Sequence, residues 1–299
     1  MNMRSGAGDR QQALQTLAAV FGQAGVEHRI LQVTRPKQLR EAAAQAVELA
    51  ARAGGVVVAA GGDGTLNTVA HAVLETGLPF GVVPRGTFNY FGRTHGIPLD
   101  VEGAARNLVE GTPRPVQVGT LNERIFLVNA SLGLYPRLLE EREAYKRRYG
   151  RTRWVALGAG LATLLRERWQ VLLRAEREGE PHLMKTSTLF VGNNALQLEQ
   201  LGIEEAPALE QGRLVALSIK PVDRWAMLGL LLRSAAGRLG SAETVDSFAF
   251  RRLEVEPVLR RVRPVRMKVS IDGETQWMSS PLEFGVAAQP LQLIAPPPA

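Results

Sequence analysis

The chain has 299 residues, and its 36 Lys+Arg outnumber its 29 Asp+Glu to give a formal net charge of +7. With 45% hydrophobic and 22% charged residues it has the composition of a folded globular protein, and its length favours two domains over one. Cysteine is absent, which excludes disulfides, thiolate metal sites and a cysteine nucleophile; HExxH, GxSxG and Walker GxxxxGK[ST] patterns are absent as well.

The first segment, MNMRSGAGDRQQ, has no apolar stretch of the kind a signal peptide needs. Apolar residues at helical spacing predict helices over 11–26 and 37–53, with HRILQV (28–33) between them as a short strand. VVVAA (56–60) reads as a buried strand broken by GGDGT, 66–77 as a helix stopped by Gly77, FGVVP (80–84) as a strand, and 85–98 as a loop and helix. Continuously apolar strands alternating with helices predict an α/β domain with a parallel sheet to about residue 115. Beyond it, 124–134, 186–194, 213–220, 246–256, 265–274 and 281–288 read as strands, with helical inserts at 136–176 and 221–239. These predict a C-terminal β-sandwich, hence domains of 1–118 and 119–299, the last strand being able to return to the first domain. The apolar run Trp154–Leu165 is well short of the ~20 residues of a spanning helix. Trp225–Leu232 is shorter still and reads as a core face rather than a membrane anchor.

Gly61-Gly62-Asp63-Gly64-Thr65 lies between a buried strand and a helix. Glycines there let the backbone approach a ligand, and the amides at the start of the helix offer donors and a positive dipole end to phosphate. Asp63 would repel phosphate unless a cation intervenes, which implies Mg²⁺, and Thr65 can donate its hydroxyl. A tight turn that merely joins strand to helix is the plainer alternative.

GGDGTLN resembles the motif of the superfamily that contains diacylglycerol kinases, sphingosine kinases and NAD kinases. Pro84-Arg85-Gly86-Thr87-Phe88-Asn89 is similar to the PxGTxN loop of the lipid kinases, Asn193-Asn194 to their GN segment, Asp272-Gly273-Glu274 to their DGE, and Phe126–Tyr135 to their F-x-N-x-x-S-x-G segment. Met1–Gly6 resembles the NPxSG turn after their first strand. Taken in order, these identify the chain as a member of the diacylglycerol kinase catalytic-domain family, of bacterial type. The resemblance implies an NAD kinase/diacylglycerol kinase-like α/β domain followed by a β-sandwich, with ATP and Mg²⁺ as cofactors. It implies phosphate contacts from Gly61, Gly62, Asp63, Gly64, Thr65 and Thr87, further nucleotide contacts from Thr34 and Ser5, and metal binding by Asp63 and Asp272. Glu274 is implied as the general base on a lipid hydroxyl, with Asp63 as its catalytic companion. A base is chemically sensible there, because an alcohol must lose its proton as the phosphoryl bond forms. Two carboxylates alternating along one strand at 272 and 274 would share a face, whereas an Asp-Gly hairpin turn is the alternative.

The chain departs from the family pattern at three points. Tyr90 follows the PxGTxN loop where Asp is usual, Gln117 stands in a V-D-x-G position, and Glu210-Gln211-Gly212 replaces the Asp-Asp-Gly of a structural metal segment. Each change removes an acid that would hold a cation or its waters, and a structural metal is not expected. Residues 142–154 (REAYKRRYGRTRW) interleave basic and aromatic side chains, which suits an anionic lipid surface or, equally, a solvated helix end. Arg85 reads as either a phosphate ligand or a surface arginine. The expectation is a cytoplasmic lipid kinase, peripheral at the membrane and without a nucleic-acid partner. A regulatory protein that binds nucleotide or lipid without turnover, and an NAD kinase, are the alternatives.

Overall fold

The structure is a computed structural model that describes residues 1, 10–140, 170–177, 179–258 and 264–297. Ser5 with its Ser-Gly turn, the basic segment 142–154 and the apolar run 154–165 lie outside the described residues. The chain divides into two compact units, Met1–Val118 with Ala287–Ala299, and Gly119–Val286.

In the first unit, helices α1 (Arg10–Gln23) and α2 (Leu39–Ala53) precede strand β1 (Val57–Gly61), helix α3 (Asp63–Val73), strand β2 (Phe80–Pro84), helices α4 (Tyr90–Thr94) and α5 (Val101–Glu110), and strand β3 (Thr112–Val116). The sheet order is β1, β2, the C-terminal strand Leu291–Ala295, then β3. β1 and β2 run parallel, Val57 facing Phe80 and Gly61 facing Pro84. Short runs of Val, Ala and Phe bounded by Gly and Pro are what a strand covered on both faces requires, and Val57, Ala59, Phe80, Val82 and Val83 are all buried. Leu17 of α1 and Ala104 and Ala105 of α5 pack with Ala60 and Val83, while α2 and α3 pack on each other and on β1.

Among the described residues the expected strand at 28–33 is reduced to a single bridge at Val33. Only Val33 of that segment is buried, and its amide donates to the Met1 carbonyl at 2.9 Å, while the Met1 ammonium donates to the Leu31 carbonyl at 2.7 Å. His28, Arg29 and Gln32 give the segment a polar character with little apolar surface to bury. The helix expected over 66–77 begins earlier, at Asp63, and ends at Val73 in a 3₁₀ turn.

His95, just after α4, lies edge-on to Phe91 with ring centroids 4.8 Å apart. Burial lowers its pKa from 6.5 to about 4. Between those values the unfolded chain takes up a proton that the folded chain refuses, so this stability is present above pH 6.5 and lost as pH falls towards 4. Urea unfolding is expected to show a loss of about 2–3 kcal/mol from this group by about pH 4.5, absent from His95→Gln.

The second unit holds β4 (Gly119–Leu121), β5 (Arg124–Phe126), β6 (Asn129–Gly133), a helical stretch at 134–140, β7 (Val171–Arg177), β8 (Glu180–Thr186), β9 (Thr188–Gly192) and α6 (Ala195–Gln200). It continues with β10 (Leu214–Ile219), α7 (Arg224–Ala235), β11 (Val245–Phe250), β12 (Arg252–Pro257), β13 (Arg266–Ile271), β14 (Glu274–Ser279) and β15 (Leu282–Val286). The C-terminal strand Leu291–Ala295, in the first unit, is β16. Two six-stranded antiparallel sheets, ordered β11-β10-β9-β6-β13-β14 and β5-β4-β15-β12-β7-β8, face each other across one apolar core. Leu132, Leu189, Phe250 and Val269 come from the first sheet, and Leu121, Phe126, Leu173 and Phe284 from the second. This is a β-sandwich.

Several runs expected as single strands cross between the sheets. Residues 124–134 divide into β5 and β6, and 246–256 into β11 and β12, with the members of each pair in different sheets. The helical insert expected over 136–176 is wrong at its end, where 171–177 is β7, paired to both β8 and β12. Trp225–Leu232 is not simply a core face. Leu230 is buried, but Trp225 is 68% and Leu232 67% exposed.

Candidate active site

β1 and β2 are parallel neighbours in register, so their carboxyl ends deliver two loops side by side. The first leaves β1 at Gly61 and enters α3, whose Thr65 and Leu66 amides donate to the Gly62 carbonyl at 2.8 and 3.0 Å. The second runs from Arg85 to Asn89. Their glycines meet backbone to backbone: a Cβ on Gly86 would lie 2.7 Å from Gly62 Cα. No larger residue fits at that contact without separating the loops. Asn89, with φ of 50°, closes the second loop by accepting the Gly86 amide at 2.7 Å and donating to the Gly86 carbonyl at 3.1 Å. It was missed as a site residue, although it is the last letter of the PxGTxN pattern. Thr87 and Phe88 form the exposed tip, and the Phe88 ring stacks on Tyr90 with centroids 5.8 Å apart.

Asp63 opens α3. Its carboxylate accepts the amides of Tyr90 and Phe91, at the start of α4, at 3.4 and 3.3 Å. Burial raises its pKa above the ordinary carboxylate value, and those amides oppose the rise. The backbone of Tyr90 therefore meets Asp63 at the position where the family usually carries an acid. Arg85 is buried, and its amide donates to the Gly61 carbonyl at 2.8 Å, so it is not a surface arginine. Thr65 is buried and packs against Gly61. Gly61–Thr65 and Thr87 are thus brought together. Thr34 is exposed, and its hydroxyl donates to Gln38 Oε1 at 3.4 Å.

In the second unit the Asp272-Gly273 pair forms the turn of the β13–β14 hairpin, with φ of 44° and 86°, and Ile271 faces Glu274 across it. Positive φ at both central residues is the turn that matches strand twist, and Asp-Gly suits it. The two acids therefore do not alternate along a strand. Glu274 is the exposed first residue of β14. Asp272 points its carboxylate at the β5–β6 connection and accepts the amides of Leu127 (2.8 Å), Val128 (2.9 Å) and Asn129 (3.0 Å). The expectation of Asp272 as a metal ligand thus meets a carboxylate committed to three amides.

The same connection is held from its other side. The Asn193 amide donates to the Val128 carbonyl at 2.8 Å and its side chain to the Leu127 carbonyl at 3.3 Å. Asn194 caps α6 by accepting the Gln197 amide at 3.0 Å, and Gln197 Oε1 accepts from Asn129 at 3.0 Å. Three motif segments far apart in sequence form one network that fixes the turn from which Glu274 projects. Asp272→Ala is expected to cost at least about 3 kcal/mol in urea unfolding, because it strands three amides and puts Ala at positive φ. Asp272→Asn, which keeps an acceptor and tolerates that φ, should lose less. Gln117 follows β3 in the first unit, and Glu210 and Gln211 are exposed at the end of a 3₁₀ segment in the second.

Two glycine loops packed back to back at the carboxyl ends of parallel strands, one opening a helix, are an α/β arrangement that can present backbone amides to an anionic ligand. Residues 1–121 match the family model of the diacylglycerol kinase catalytic domain. An uncharacterized protein of Synechocystis sp. is 31% identical over 140 residues, 46% of this chain and 32% of that protein. A diacylglycerol kinase of Staphylococcus aureus is 44% identical over 80 residues, 26% of this chain and 25% of the relative. The matched stretches thus span about a quarter to a third of these curated relatives. The fold is similar to that of a diacylglycerol kinase from Bacillus anthracis, with a TM-score of 0.69 at 17% identity, covering 99% of this chain and 95% of that one.

Proposed function

We propose that this chain is a lipid kinase that transfers the γ-phosphate of ATP to a hydroxyl of a diacylglycerol-like lipid. The observation that carries the reading is the pair of abutting glycine loops, 61–65 and 85–89, within a stretch that matches the diacylglycerol kinase catalytic-domain model. Among the described residues no cluster of three acidic, histidine or cysteine side chains offers a metal cage, so the cation would be held largely by the nucleotide, with Asp63 the nearby acid. Mg²⁺ bound with ATP supplies charge neutralisation on the phosphate oxygens.

The rest of the chemistry falls to the chain. The amides of Gly62, Gly64 and Thr87 bind phosphate oxygens, aided by the start of α3 and the Thr65 and Thr87 hydroxyls. Thr34 and Ser5 are assigned as further nucleotide contacts. Glu274 accepts the proton of the lipid hydroxyl as its oxygen bonds to the γ-phosphorus; the bond from that phosphorus to the β–γ bridging oxygen breaks, and ADP leaves. The lipid partner implies work at a membrane surface. Among the described residues no helix is long and apolar enough to cross a membrane.

A binding protein without turnover is the second reading, favoured by Tyr90 and Gln117 in place of two acids and by the amide-bound carboxylate of Asp272. The deciding experiment is transfer of label from γ-labelled ATP to a lipid panel in mixed micelles with Mg²⁺, with NAD as a parallel acceptor. A labelled lipid is expected. Binding of ATP or lipid with no labelled lipid would replace the kinase reading by the second one, and label on NAD alone would make the chain an NAD kinase.

A further inference from the structure

A helix on the surface of a globular unit normally buries one apolar stripe and shows water a polar one. α7 does not follow that division. Its inner residues Met227 and Leu230 pack with Phe190, Val215, Leu217 and Leu239. Its outer side repeats the apolar pattern: Trp225, Leu228, Gly229 and Leu232 stand at i, i+3, i+4 and i+7 and so share one face. Trp225 is 68% and Leu232 67% exposed, with Leu228 and Gly229 half-buried between them. The result is an exposed apolar stripe two turns long on a helix of ~18 Å.

The sequence around the stripe is basic. Residues 220–240 hold Lys220, Arg224, Arg233 and Arg238 against one acid, Asp223, and of these Lys220 is paired with Asp246 at 2.9 Å. Asp223 is engaged as the helix cap, accepting the Trp225 and Ala226 amides at 2.8 and 2.9 Å. Arg233 and Arg238 are exposed. A tryptophan at one end of an apolar stripe, with arginines beside it, is the composition of a helix that lies in a lipid–water interface. A second copy of the chain is a poorer occupant, because self-pairing would bring the same positive rim against itself.

We propose that α7 seats the protein on an anionic lipid surface, the Trp225–Leu232 stripe entering the headgroup layer and the flanking basic residues meeting anionic headgroups. The inference rests on the lipid-kinase reading for its purpose, since such an enzyme must collect its acceptor from a bilayer. The side chains concerned are exposed, so their replacement should leave the sandwich core intact.

The test is co-sedimentation with vesicles of phosphatidylcholine with and without phosphatidylglycerol, at low and high salt. Wild-type protein is expected to bind the anionic vesicles, more weakly in high salt. Trp225→Ser/Leu232→Ser and Arg233→Glu are each expected to weaken that binding about tenfold or more, with near-UV circular dichroism unchanged. Both variants should still phosphorylate a short-chain diacylglycerol dispersed in solution. Wild-type-like vesicle binding by the double variant would overturn the proposal, as would a lack of binding to anionic vesicles by the wild type. Conversion of a dimer to a monomer by these substitutions, with vesicle binding unchanged, would overturn it in favour of a second copy. If no lipid is phosphorylated by any form and the variants still lose the vesicles, the docking helix stands and the kinase reading falls.

Discussion

Glu274→Gln is expected to reduce phosphate transfer to lipid by two to four orders of magnitude, about the contribution of a positioned general base. The amide has the size of the carboxylate but cannot take the hydroxyl proton. Position 274 is the exposed first residue of β14, and the hairpin is held by the Asp272 network rather than by this side chain, so the fold should be unaffected. The informative comparison sets kcat against ATP affinity. A base acts after the nucleotide is bound, so nucleotide binding by equilibrium dialysis should match wild type while turnover collapses. A fall in ATP binding with turnover per bound nucleotide preserved would remove Glu274 from the chemistry.

Asp63→Asn should separate stability from activity in a different way. Asp63 is an acid whose pKa is raised in the folded state, chiefly by burial. Its contribution to stability is present below its unfolded pKa and lost as pH rises through the folded value, so the ionised carboxylate is a liability at neutral pH. Asn removes that liability and keeps one acceptor, though one of the Tyr90 and Phe91 amides then loses its partner. The two effects oppose each other, and stability at neutral pH should move by less than about 1 kcal/mol. Lipid phosphorylation is expected to fall at least about a hundredfold, since the first loop would lose the acid proposed to face the nucleotide's cation. Calorimetric melting together with the labelled-ATP assay gives both numbers. Unfolding of the variant, or full activity, would contradict the role given to Asp63.

What was readable in advance divides along physical lines. β1 and β2 are short apolar runs closed by glycine and proline, and burial on both faces leaves that plain mark. β3 (TPRPV) hides because two prolines argue against a strand; it is tolerated because β3 is the sheet edge, where a missing donor does little harm. β7 hides for the opposite reason. VLLRAER is made of helix formers, and pairing with β8 and β12 overrides that local preference. Runs such as 246–256 keep one apolar pattern while passing from one sheet to the other at Arg251, so periodicity cannot reveal the corner.

The site shows the same split. GGDGT and PxGTxN announce themselves because glycine is required where two backbones touch. The work of Asp272 could not be read from its spacing to Glu274. It depends on a left-handed turn and on three amides some 145 residues earlier in the chain, and only the folded hairpin joins them.

β16 gives the first unit a peculiar biosynthetic timetable. Its sheet places the last strand between β2 and β3, with Leu293 facing Phe80 and Arg114. The β1–β2 pair that carries both glycine loops leaves the ribosome before the whole sandwich, yet the strand that sits between β2 and β3 leaves only after it. The sandwich, continuous from Gly119 to Val286, can close before the sheet that precedes it in sequence. Until then the edge of β2 and the inner edge of β3 are open, and the nascent chain carries an unpaired strand template beside its glycine loops. Completion of the first unit's sheet is thereby tied to synthesis through β16, so a chain released before Leu291 would have a sandwich but no finished sheet behind GGDGT.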